Sequence, residues 1–512
     1  MVRVITTPIT GSSMTSATVA GHPSPWFVTR PAGPEEWILR ASQALASPAG
    51  SGWSSALGPA LQATGPAAER LALAAEHGVV VTTGQQPGLF GGPLYTWWKA
   101  LTALALANHL QEITGIPVAP IFWAATDDSD LAEASTTAVA TPDGAEIIEM
   151  QTVAEVGTSL ANVAIGDLSG QLDRLRFAAG SALNGSVLDI AANAYQPGAT
   201  IGSAYVALLR HVLHPLGISV LDASHQSLRE RAFPTLARAL EQSEAVEKAL
   251  VGRTGSIESA GFSPQVKLVS GRSLVFADRD GRRDRVAIRD ARATLRNATA
   301  GSLGANVLLR PIVERSILPT VAYVGGPAEI AYFAQTTAVA EALGAAAPLV
   351  VSRWSGMVVE PRIDRLLERH GLSADDFRDP YAAETRVAKE SLPIAVTKSI
   401  ESLRAQVDQS MKSLTSDDAS GIVPASVVEG FQRNVEHRLF RLERRFRAGV
   451  KRQGSEALEN IAAVRGALYP LGKPQERVLN LLPLLARYGD SLMNPVRSEI
   501  ERHAAGLAAG LG

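Results

Sequence analysis

A short apolar strand, a glycine-rich loop and a long helix follow one another near residue 80, and this order limits the fold more than any other feature. Residues 79–82 are mostly β-branched, which is typical of a buried strand in a parallel sheet. Four glycines then occur within nine residues, at positions 84, 88, 91 and 92. A helix is predicted over residues 94–111, and Gly115 ends it. This order predicts an α/β fold built on a parallel sheet.

The glycine-rich loop is a candidate ligand site. A strand, a loop and a helix in this order can direct backbone N–H groups at an anion, because glycine permits close approach and a helix N-terminus carries partial positive charge. Gln85 and Gln86 add amide groups at the carboxyl end of the strand, where open α/β sheets bind ligands. The loop matches neither a P-loop nor a dinucleotide fingerprint. A ligand site is favoured by the position before a helix, and a tight turn that needs glycine is the alternative.

An acidic cluster follows the second predicted strand, residues 118–125. Asp127, Asp128 and Asp130 lie directly after it. A right-handed crossover would place them beside the glycine-rich loop. Crowded carboxylates either raise each other's pKa or bind a cation or a cationic substrate group. Asp is also favoured as a helix N-cap, so a structural role is equally compatible with the sequence.

The strand–glycine–helix order recurs in the second half of the chain. Residues 320–324 predict a strand that runs into Gly325 and Gly326, and a helix follows. Glu329, Tyr332 and Gln335 follow one another at three-residue steps from the start of this helix and share one face. They predict either a polar wall of a ligand site or an ordinary helix start.

Apolar periodicity divides the chain into four segments. The predicted segments are a helical and loop region that packs on the core (1–75), the parallel-sheet core with insertions (76–359), a helical region (360–465) and a C-terminal segment that docks on the core (466–512). The insertions are placed at about residues 136–215 and 256–300, the second as an antiparallel meander with strands at 266–268 and 274–276 and turns at 270–272 and 278–281. Further core strands are predicted at 218–221 and 348–351, and residues 306–309 are predicted to be sheet-like.

Two apolar stripes, within residues 400–414 and 431–450, step by three and four positions. With a turn between them at 415–425, they predict an antiparallel coiled-coil hairpin. The second helix is strongly basic. A solvated helix face is favoured over nucleic-acid binding, because few aromatic residues are interspersed. An oligomer contact is the expected use of the hairpin.

Composition excludes several classes of function. The chain has no Cys, so disulfides, thiolate metal sites and a catalytic Cys are excluded. Lys and Arg number 48 and Asp and Glu number 50, so no nucleic-acid or membrane partner is expected. The N-terminal residues lack a secretory signal pattern, and a cytoplasmic location is expected. His211 and His214 lack a carboxylate at metal-site spacing, so no metal site is expected.

Four long motifs resemble the bacillithiol-biosynthesis cysteine-adding enzyme family. They are VVTTGQQPGLFGGPLYT at 80–96 with Lys-Ala-Leu at 99–101, PVAPIFWAATDD at 117–128, LPTVAYVGGPAEIAY at 318–332, and the segment from Leu-Tyr-Pro at 468 to Gln-Glu-Arg at 477. The resemblance implies a Rossmann-like core with two insertions and a coiled-coil domain that forms a homodimer.

The resemblance also implies a reaction. Family members carry out the last step of bacillithiol synthesis, which joins L-cysteine to the amino group of glucosaminyl malate. Amide formation implies activation of the cysteine carboxylate by ATP, so ATP or ADP is the expected cofactor and Mg²⁺ a further candidate. Asp127, Asp128 and Asp130 would bind an ammonium group or act as base. The residues expected to bind substrate or nucleotide are Thr83, Gly84, Gln85, Gln86, Gly91, Gly92, Tyr95, Trp123, Arg310, Gly325, Gly326, Glu329 and Tyr332.

Two departures from the family pattern bear on the acceptor. Ser129 stands where the family usually has His, and Glu314 and Arg315 stand where it tends to have Gln and Asp. If that His carries a proton, this chain acts on a different amine or more slowly. The alternatives are a nucleotide-binding ligase or transferase of the same fold with another amine substrate, and a dimeric coiled-coil scaffold with a vestigial site.

Overall fold

The computed structural model describes residues 2–22, 24–279, 282–379, 381–390, 394–417, 422–453 and 455–510. The chain divides into two compact units. The first contains the described parts of 1–139, 146–358 and 475–512, and the second contains those of 140–145 and 359–474.

The helices and strands are as follows. The strands are β1 Arg3–Thr6, β2 Val79–Gln85, β3 Val118–Ala124, β4 Thr136–Thr141, β5 Gly144–Glu149, β6 Ser219–Asp222, β7 Arg272–Arg279, β8 Arg282–Ala287, β9 Leu303–Ala305, β10 Thr320–Gly325, β11 Val350–Ser352 and β12 Gly356–Val359. The α-helices are α1 Ser13–Val19, α2 Pro34–Leu45, α3 Trp53–Leu61, α4 Gly65–His77, α5 Leu94–Thr114, α6 Leu131–Ala134, α7 Ser169–Ala179, α8 Ser186–Ala194, α9 Ile201–Leu213, α10 Gln226–Glu241, α11 Ser243–Ser259, α12 Ala291–Asn297, α13 Arg310–Ile317, α14 Pro327–Ala342, α15 Pro361–Arg369, α16 Ala382–Glu390, α17 Ile394–Asp417, α18 Ala425–Gln453, α19 Ser455–Leu468, α20 Leu482–Tyr488 and α21 Asp490–Ala508.

A five-stranded parallel sheet organises the first unit, in the order β11-β10-β2-β3-β6. The chain leaves β2 towards β3 and β6, and later returns to the other side of β2 as β10 and β11. The strand order therefore reverses between β2 and β10, and in open α/β sheets this is where ligands bind. The structure confirms the predicted core strands, which overlap β2, β3, β6, β10 and β11.

Helix α5 packs against this sheet and is buried around most of its circumference. It ends at Gly115, whose φ of 70° is a left-handed conformation that glycine adopts without steric cost. The predicted end of the helix is confirmed, although it continues to Thr114. Lys99 is the only charged side chain among the buried residues of α5.

The glycine-rich loop satisfies its own hydrogen bonds. Gly91 donates its N–H to the carbonyl oxygen of Gly88 at 3.0 Å, and Gly92 donates to a second loop carbonyl. The N–H of Leu94, the first residue of α5, bonds to the carbonyl of Leu479 at 2.9 Å. The tight turn and the C-terminal segment thus already pair these three N–H groups, and an anion role for the rest of the loop stays a prediction.

The side chain of Asn480, in the C-terminal segment, fixes the glycine-rich loop by hydrogen bonds. This side chain is 2% exposed, and its amide nitrogen donates to the carbonyl oxygens of Phe90 at 3.0 Å and Gly92 at 3.3 Å. Phe90 has a φ of 53°, which is uncommon for a residue with a side chain. The loop is thus a rigid, buried turn that fixes the end of β2 relative to α5.

The second insertion differs from its prediction. Strands β7, β8 and β9 form an antiparallel sheet, but residues 266–268 are not a strand. Val266 instead bonds through both its N–H and its carbonyl to the amide of Gln335, at 2.9 and 2.8 Å. This side-chain pairing replaces the expected strand ladder. Of the predicted turn at 278–281, residues 280 and 281 lie outside the described residues.

Residues 306–309 are a turn before α13, so their predicted sheet-like structure is also wrong. Asn306 accepts the N–H of Leu309 on its side-chain oxygen at 3.0 Å and the N–H of Arg310 on its carbonyl at 3.0 Å. Asn in this pattern starts a helix rather than a strand.

The second unit is helical. Its helices α17 and α18 pack side by side as an antiparallel hairpin, with Arg404 bonded to Glu443 at 2.7 Å and Gln432 to Asp408 at 3.0 Å. The predicted hairpin is confirmed, although residues 418–421 of its turn lie outside the described residues. No helix within the described ranges is long and apolar enough to cross a lipid bilayer.

The glycine-rich loop gives a test of this packing. Gly91 has a φ of 89°, and a Cβ added there would lie 2.6 Å from Cζ2 of Trp97. Gly91→Ala should therefore destabilise the protein by about 2–4 kcal/mol, measured from the midpoint of urea unfolding. Gly252→Ala is the matched control, since a Cβ there meets nothing within 4 Å and Ala favours helix by about 0.5–1 kcal/mol. Equal midpoints for the two variants would contradict this reading of the loop.

Candidate functional site

A cavity of about 820 Å³ opens at the carboxyl ends of β2, β3, β6 and β10, where the strand order reverses. Its walls come from the residues after these strands, the start of α14, one face of α10 and the second insertion. Its size is typical of a small-molecule site.

The structure brings most of the sequence-predicted site residues to this cavity. Those that line it are Gly84, Gln85, Gln86, Tyr95, Trp123, Asp127, Asp128, Arg310, Gly326, Glu329 and Tyr332. Those that do not line it are Thr83, Gly91, Gly92, Gly325 and Asp130.

The residues outside the cavity have structural contacts. Thr83 donates its hydroxyl to the carbonyl of Val324 at 2.8 Å, which joins two neighbouring strands. A Cβ on Gly325 would lie 2.9 Å from a methyl group of Val350, so this glycine serves close packing. Asp130 accepts the N–H of Glu133 at 3.1 Å and caps α6. For Asp130 the N-cap alternative is therefore the one observed.

A buried ion pair lies at the floor of the cavity. Lys99 is 3% exposed, and its ammonium contacts the Glu329 carboxylate directly. It also donates to the carbonyl of Gly84 at 2.8 Å and to the side-chain oxygen of Gln85 at 2.9 Å. Glu329 accepts in addition the hydroxyl of Tyr323 and the N–H of Gly326, the latter at 2.7 Å.

The environment keeps Glu329 ionised. Burial by itself raises the pKa of this carboxyl, but Lys99 and the donated hydrogen bonds outweigh burial and hold the pKa below its ordinary value. Burial lowers the pKa of Lys99, and Glu329 opposes that shift. Since the carboxylate and the ammonium are in contact, we assign the pair as ionic. Glu329 is thus committed to structure and is not a free acid or base.

The acidic wall contains Asp127 and Asp128. Gln86 donates its amide to Asp128 at 2.6 Å, and the other Asp128 oxygen accepts the backbone N–H of Ser129 at 2.6 Å. Asp127 lies 3.5 Å from the guanidinium of Arg283, which also bonds to the Asp127 carbonyl. Burial raises the pKa of Asp127, and Arg283 opposes this shift. Among the described residues no Lys or Arg forms an ion pair with Asp128, so this carboxylate remains available to a ligand.

Arg310 lies in the cavity wall near aromatic residues of β3 and β10. Its guanidinium lies 5.0 Å from the ring centre of Tyr323 and 5.9 Å from that of Trp123. It bonds at 3.1 Å to Glu314, which is 2% exposed and also accepts the hydroxyl of Thr82. Burial raises the pKa of Glu314, and Arg310 opposes this. The Glu at 314 thus provides the counter-charge to an arginine of the cavity.

Six cationic residues of the cavity were not among the predicted site residues: Lys99, Arg229, Arg283, Arg285, Arg353 and Arg477. A lone charge on the buried part of α5 was a usable signal for Lys99, because an unpaired buried lysine is costly. Arg477 belongs to the fourth motif that resembles the family, but no local pattern placed it or Arg353 at this cavity, since the two belong to segments far apart in the chain. Arg353 bonds to Glu476 at 2.6 and 2.8 Å, and this buried pair joins the two segments.

No group of three His, Asp or Glu side chains within the described ranges is arranged to hold a metal ion.

The parallel sheet, the cavity at its reversal point and the helical hairpin define a two-part protein with an α/β core that contains a cavity of small-molecule size. Residues 62–354 match the N-terminal Rossmann-like domain of bacillithiol biosynthesis BshC, and residues 356–506 match the C-terminal coiled-coil domain. The chain belongs to the BshC family, and the expected Rossmann-like core and coiled-coil domain are confirmed.

Several relatives are similar over most of their length. The putative cysteine ligase BshC of Solibacter usitatus (strain Ellin6076) is 32% identical over 467 residues, which cover 87% of each chain. The protein of the same name from Koribacter versatilis (strain Ellin345) is 32% identical over 432 residues, which cover 81% of this chain and 80% of the relative. That of Symbiobacterium thermophilum is 30% identical over 465 residues and 82% of each chain.

The Lys99–Glu329 pair leads to a pH-dependent prediction. Glu329→Gln should destabilise the protein by about 3–5 kcal/mol at pH 7, because it leaves a buried ammonium unpaired. The pKa of Glu329 is lowered in the folded protein, so its contribution is complete above the ordinary value of 4.5 and is lost as the pH falls through the folded value. The difference in unfolding free energy between wild type and variant should therefore narrow in acid.

A double variant provides the control for the ion pair. Lys99→Met combined with Glu329→Gln removes both charges, so it should be more stable than Glu329→Gln alone. A double variant that is no more stable would show that Lys99 is not the partner that Glu329 neutralises.

Proposed function

We propose that this protein is an ATP-dependent ligase that joins L-cysteine to the amino group of glucosaminyl malate, the last step of bacillithiol biosynthesis. Family membership supports a role in this pathway, and the similar proteins are named putative cysteine ligases. The observation that carries the proposal is the cavity at the reversal of the sheet. It has an acidic wall at Asp128 and a cationic wall that includes Arg353, and an amide-forming site needs both kinds of group.

The proposed chemistry has two steps. An oxygen of the cysteine carboxylate attacks a phosphorus of ATP, which forms a mixed anhydride and releases the remaining part of the nucleotide. The amine of glucosaminyl malate then attacks the carbonyl carbon, the phosphorus-bearing group departs with the bonding electrons, and the amine loses a proton. ATP acts here as a substrate, and it would bring any Mg²⁺ on its phosphates.

Asp128 is the residue best suited to the acceptor amine. Its carboxylate accepts the Gln86 amide and lines the cavity. It can therefore orient an ammonium group and accept a proton from the attacking nitrogen. Asp127 is less suited to this role, because Arg283 already pairs with it.

The activity itself provides the first test. Purified protein supplied with L-cysteine, glucosaminyl malate and ATP should form the thiol amide product, followed by mass spectrometry. Asp128→Asn should lower kcat/KM by about 10²–10⁴-fold, because the base and ammonium ligand are lost. Asp130→Asn is the matched control: Asn also caps helices and this side chain lies outside the cavity, so the rate should stay within a few-fold of wild type. Equal losses in both variants would exclude Asp128 from this role.

Another amine substrate is the second candidate, and Ser129 is the observation that favours it. Ser129 lines the cavity next to Asp128, at the position where the family pattern usually has His. Product formed faster from another amino sugar than from glucosaminyl malate would support this candidate. A Ser129→His variant with restored preference for glucosaminyl malate would locate the difference in this residue.

We also propose that the second unit forms a homodimer through its helical hairpin. The apolar stripe of α18 is not fully covered within the chain: Phe431, Leu442 and Phe446 are 58%, 41% and 44% exposed. Single exposed apolar residues are common, but a continuous stripe along a long helix is typical of a helix–helix interface.

Sedimentation velocity of the full chain tests the dimer. Leu442→Glu with Phe446→Glu should convert it to a monomer, because two carboxylates would be buried in the interface. Arg444→Glu is the control, since this exposed residue lies on the opposite side of α18, and it should remain dimeric. A wild-type monomer at micromolar concentration would exclude the proposed dimer.

A further inference from the structure

One end of the cavity is built around the start of α14. Gly326, Pro327 and Ala328 form its wall, and the side chains of Arg353 and Arg477 complete it. This end lies above β10, whereas Asp128 follows β3 on the other side of β2. The cationic end and the acidic wall are therefore separate parts of one cavity.

Arg353 has a donor that the fold leaves without a partner. The side chain is 2% exposed, and its two terminal nitrogens bond to Glu476 and to the carbonyl of Trp354. Its Nε is also buried and has no hydrogen-bond partner among the described residues. A buried charged donor without an acceptor costs free energy, so this nitrogen is a candidate to bond to a ligand.

The unpartnered Nε lies close to the start of α14. A Cβ added to Gly326 would lie 3.4 Å from Oε2 of Glu329, 3.7 Å from this nitrogen and 3.7 Å from Cε of Lys99. The absence of a side chain at Gly326 therefore lets the helix start approach Arg353 and the Lys99–Glu329 ion pair closely.

The helix supplies a second attraction for an anion. Helix α14 has 16 residues, and its N-terminus carries partial positive charge. Glu329 occupies the N–H of Gly326 at 2.7 Å, and its charge is balanced by Lys99. The Glu329 carboxylate therefore adds no net negative charge at the helix start.

The net charge of the side chains that line the cavity also favours the binding of an anion. Seven Lys or Arg side chains line it, against four Asp or Glu side chains. Arg477 is exposed at this end and has no carboxylate partner among the described residues. Arg353 lies 5.8 Å from the ring centre of Tyr95, and Tyr95 lines the same cavity as Arg353 and Arg477.

We infer that the start of α14, the Nε of Arg353 and the side chain of Arg477 form a subsite for a carboxylate or phosphoryl group. The inference rests on the proposed function for the source of this anion. Either the carboxylate of L-cysteine or a phosphoryl group of the nucleotide has the required chemistry, and both would be held on the side of β2 opposite to the acceptor amine.

Ala328 provides a substitution that leaves the fold intact. It is exposed in the first turn of α14, where Asp is favoured in helices. Ala328→Asp places a negative charge in the subsite, and Ala328→Asn is its neutral control of equal size. Binding of ADP, inorganic phosphate and L-cysteine is measured by calorimetry in the presence of EDTA. Ala328→Asp should weaken the anion that uses the subsite at least tenfold, and Ala328→Asn should change it less than threefold.

Arg477 gives an independent comparison. Arg477→Gln should weaken the same anion, because it removes the exposed cation of the subsite. Arg292→Gln, an exposed arginine of α12 away from the cavity, should bind like wild type.

The outcomes separate the two sources of the anion. Loss of ADP and phosphate binding with L-cysteine retained assigns a phosphoryl group, and the reverse assigns a carboxylate. Binding of all probes to Ala328→Asp and Arg477→Gln as to wild type, or no binding to wild type at all, overturns the subsite. Charge-sensitive binding without any amide product would leave the subsite standing and remove the proposed ligase.

Discussion

The contact between Lys99 and Glu329 connects the two halves of the parallel sheet, and the rest of the site depends on it. Lys99 comes from the helix after β2 and bonds to the end of that strand, while Glu329 bonds to Tyr323 in β10 and to Gly326 at the start of α14. The ion pair therefore crosses the reversal of the sheet. Each charge alone would be costly to bury, and together they fix the geometry at the point where the cavity opens.

The end of the chain completes this arrangement. Glu476 holds Arg353, Arg477 reaches the cavity and Asn480 holds the glycine-rich loop. Hydrogen bonds from one short segment thus reach both the cationic end of the cavity and the loop after β2. Loss of this segment would leave a buried arginine without its carboxylate and the carbonyl groups of the loop without their donor.

Local patterns were sufficient for the elements and for part of the site. The apolar runs of β2 and β3 and the left-handed Gly115 follow from neighbouring residues alone, and parallel strands necessarily bring Gln86 and Asp128 to one edge. For Gly91 and Asp130 the sequence left two alternatives open for a common reason. Both residue types serve ligands and turns equally well, and only the hydrogen bonds of the folded chain distinguish the two uses.

Local sequence patterns did not predict that Arg353 and Arg477 belong to the site. Arg353 and Arg477 belong to separate segments, and neither has a neighbour in sequence that indicates its position. Their placement results from the burial of Glu476 against Arg353, a contact between residues 123 positions apart. Similarly, periodicity at residues 266–268 predicted a strand, and a glutamine from α14 took the place of the strand partner.

The sequence by itself determined the parallel α/β core, the helical hairpin and the family, because hydrophobic periodicity and long contiguous motifs are local properties of the chain. The tertiary structure alone decided which polar groups are consumed by the fold and which remain for a ligand. Hydrogen bonds and ion pairs between distant segments make that decision. Asp128 lines the cavity and the buried Nε of Arg353 has no partner among the described residues, whereas Glu329 and the N–H groups of Gly91, Gly92 and Leu94 are paired within the fold.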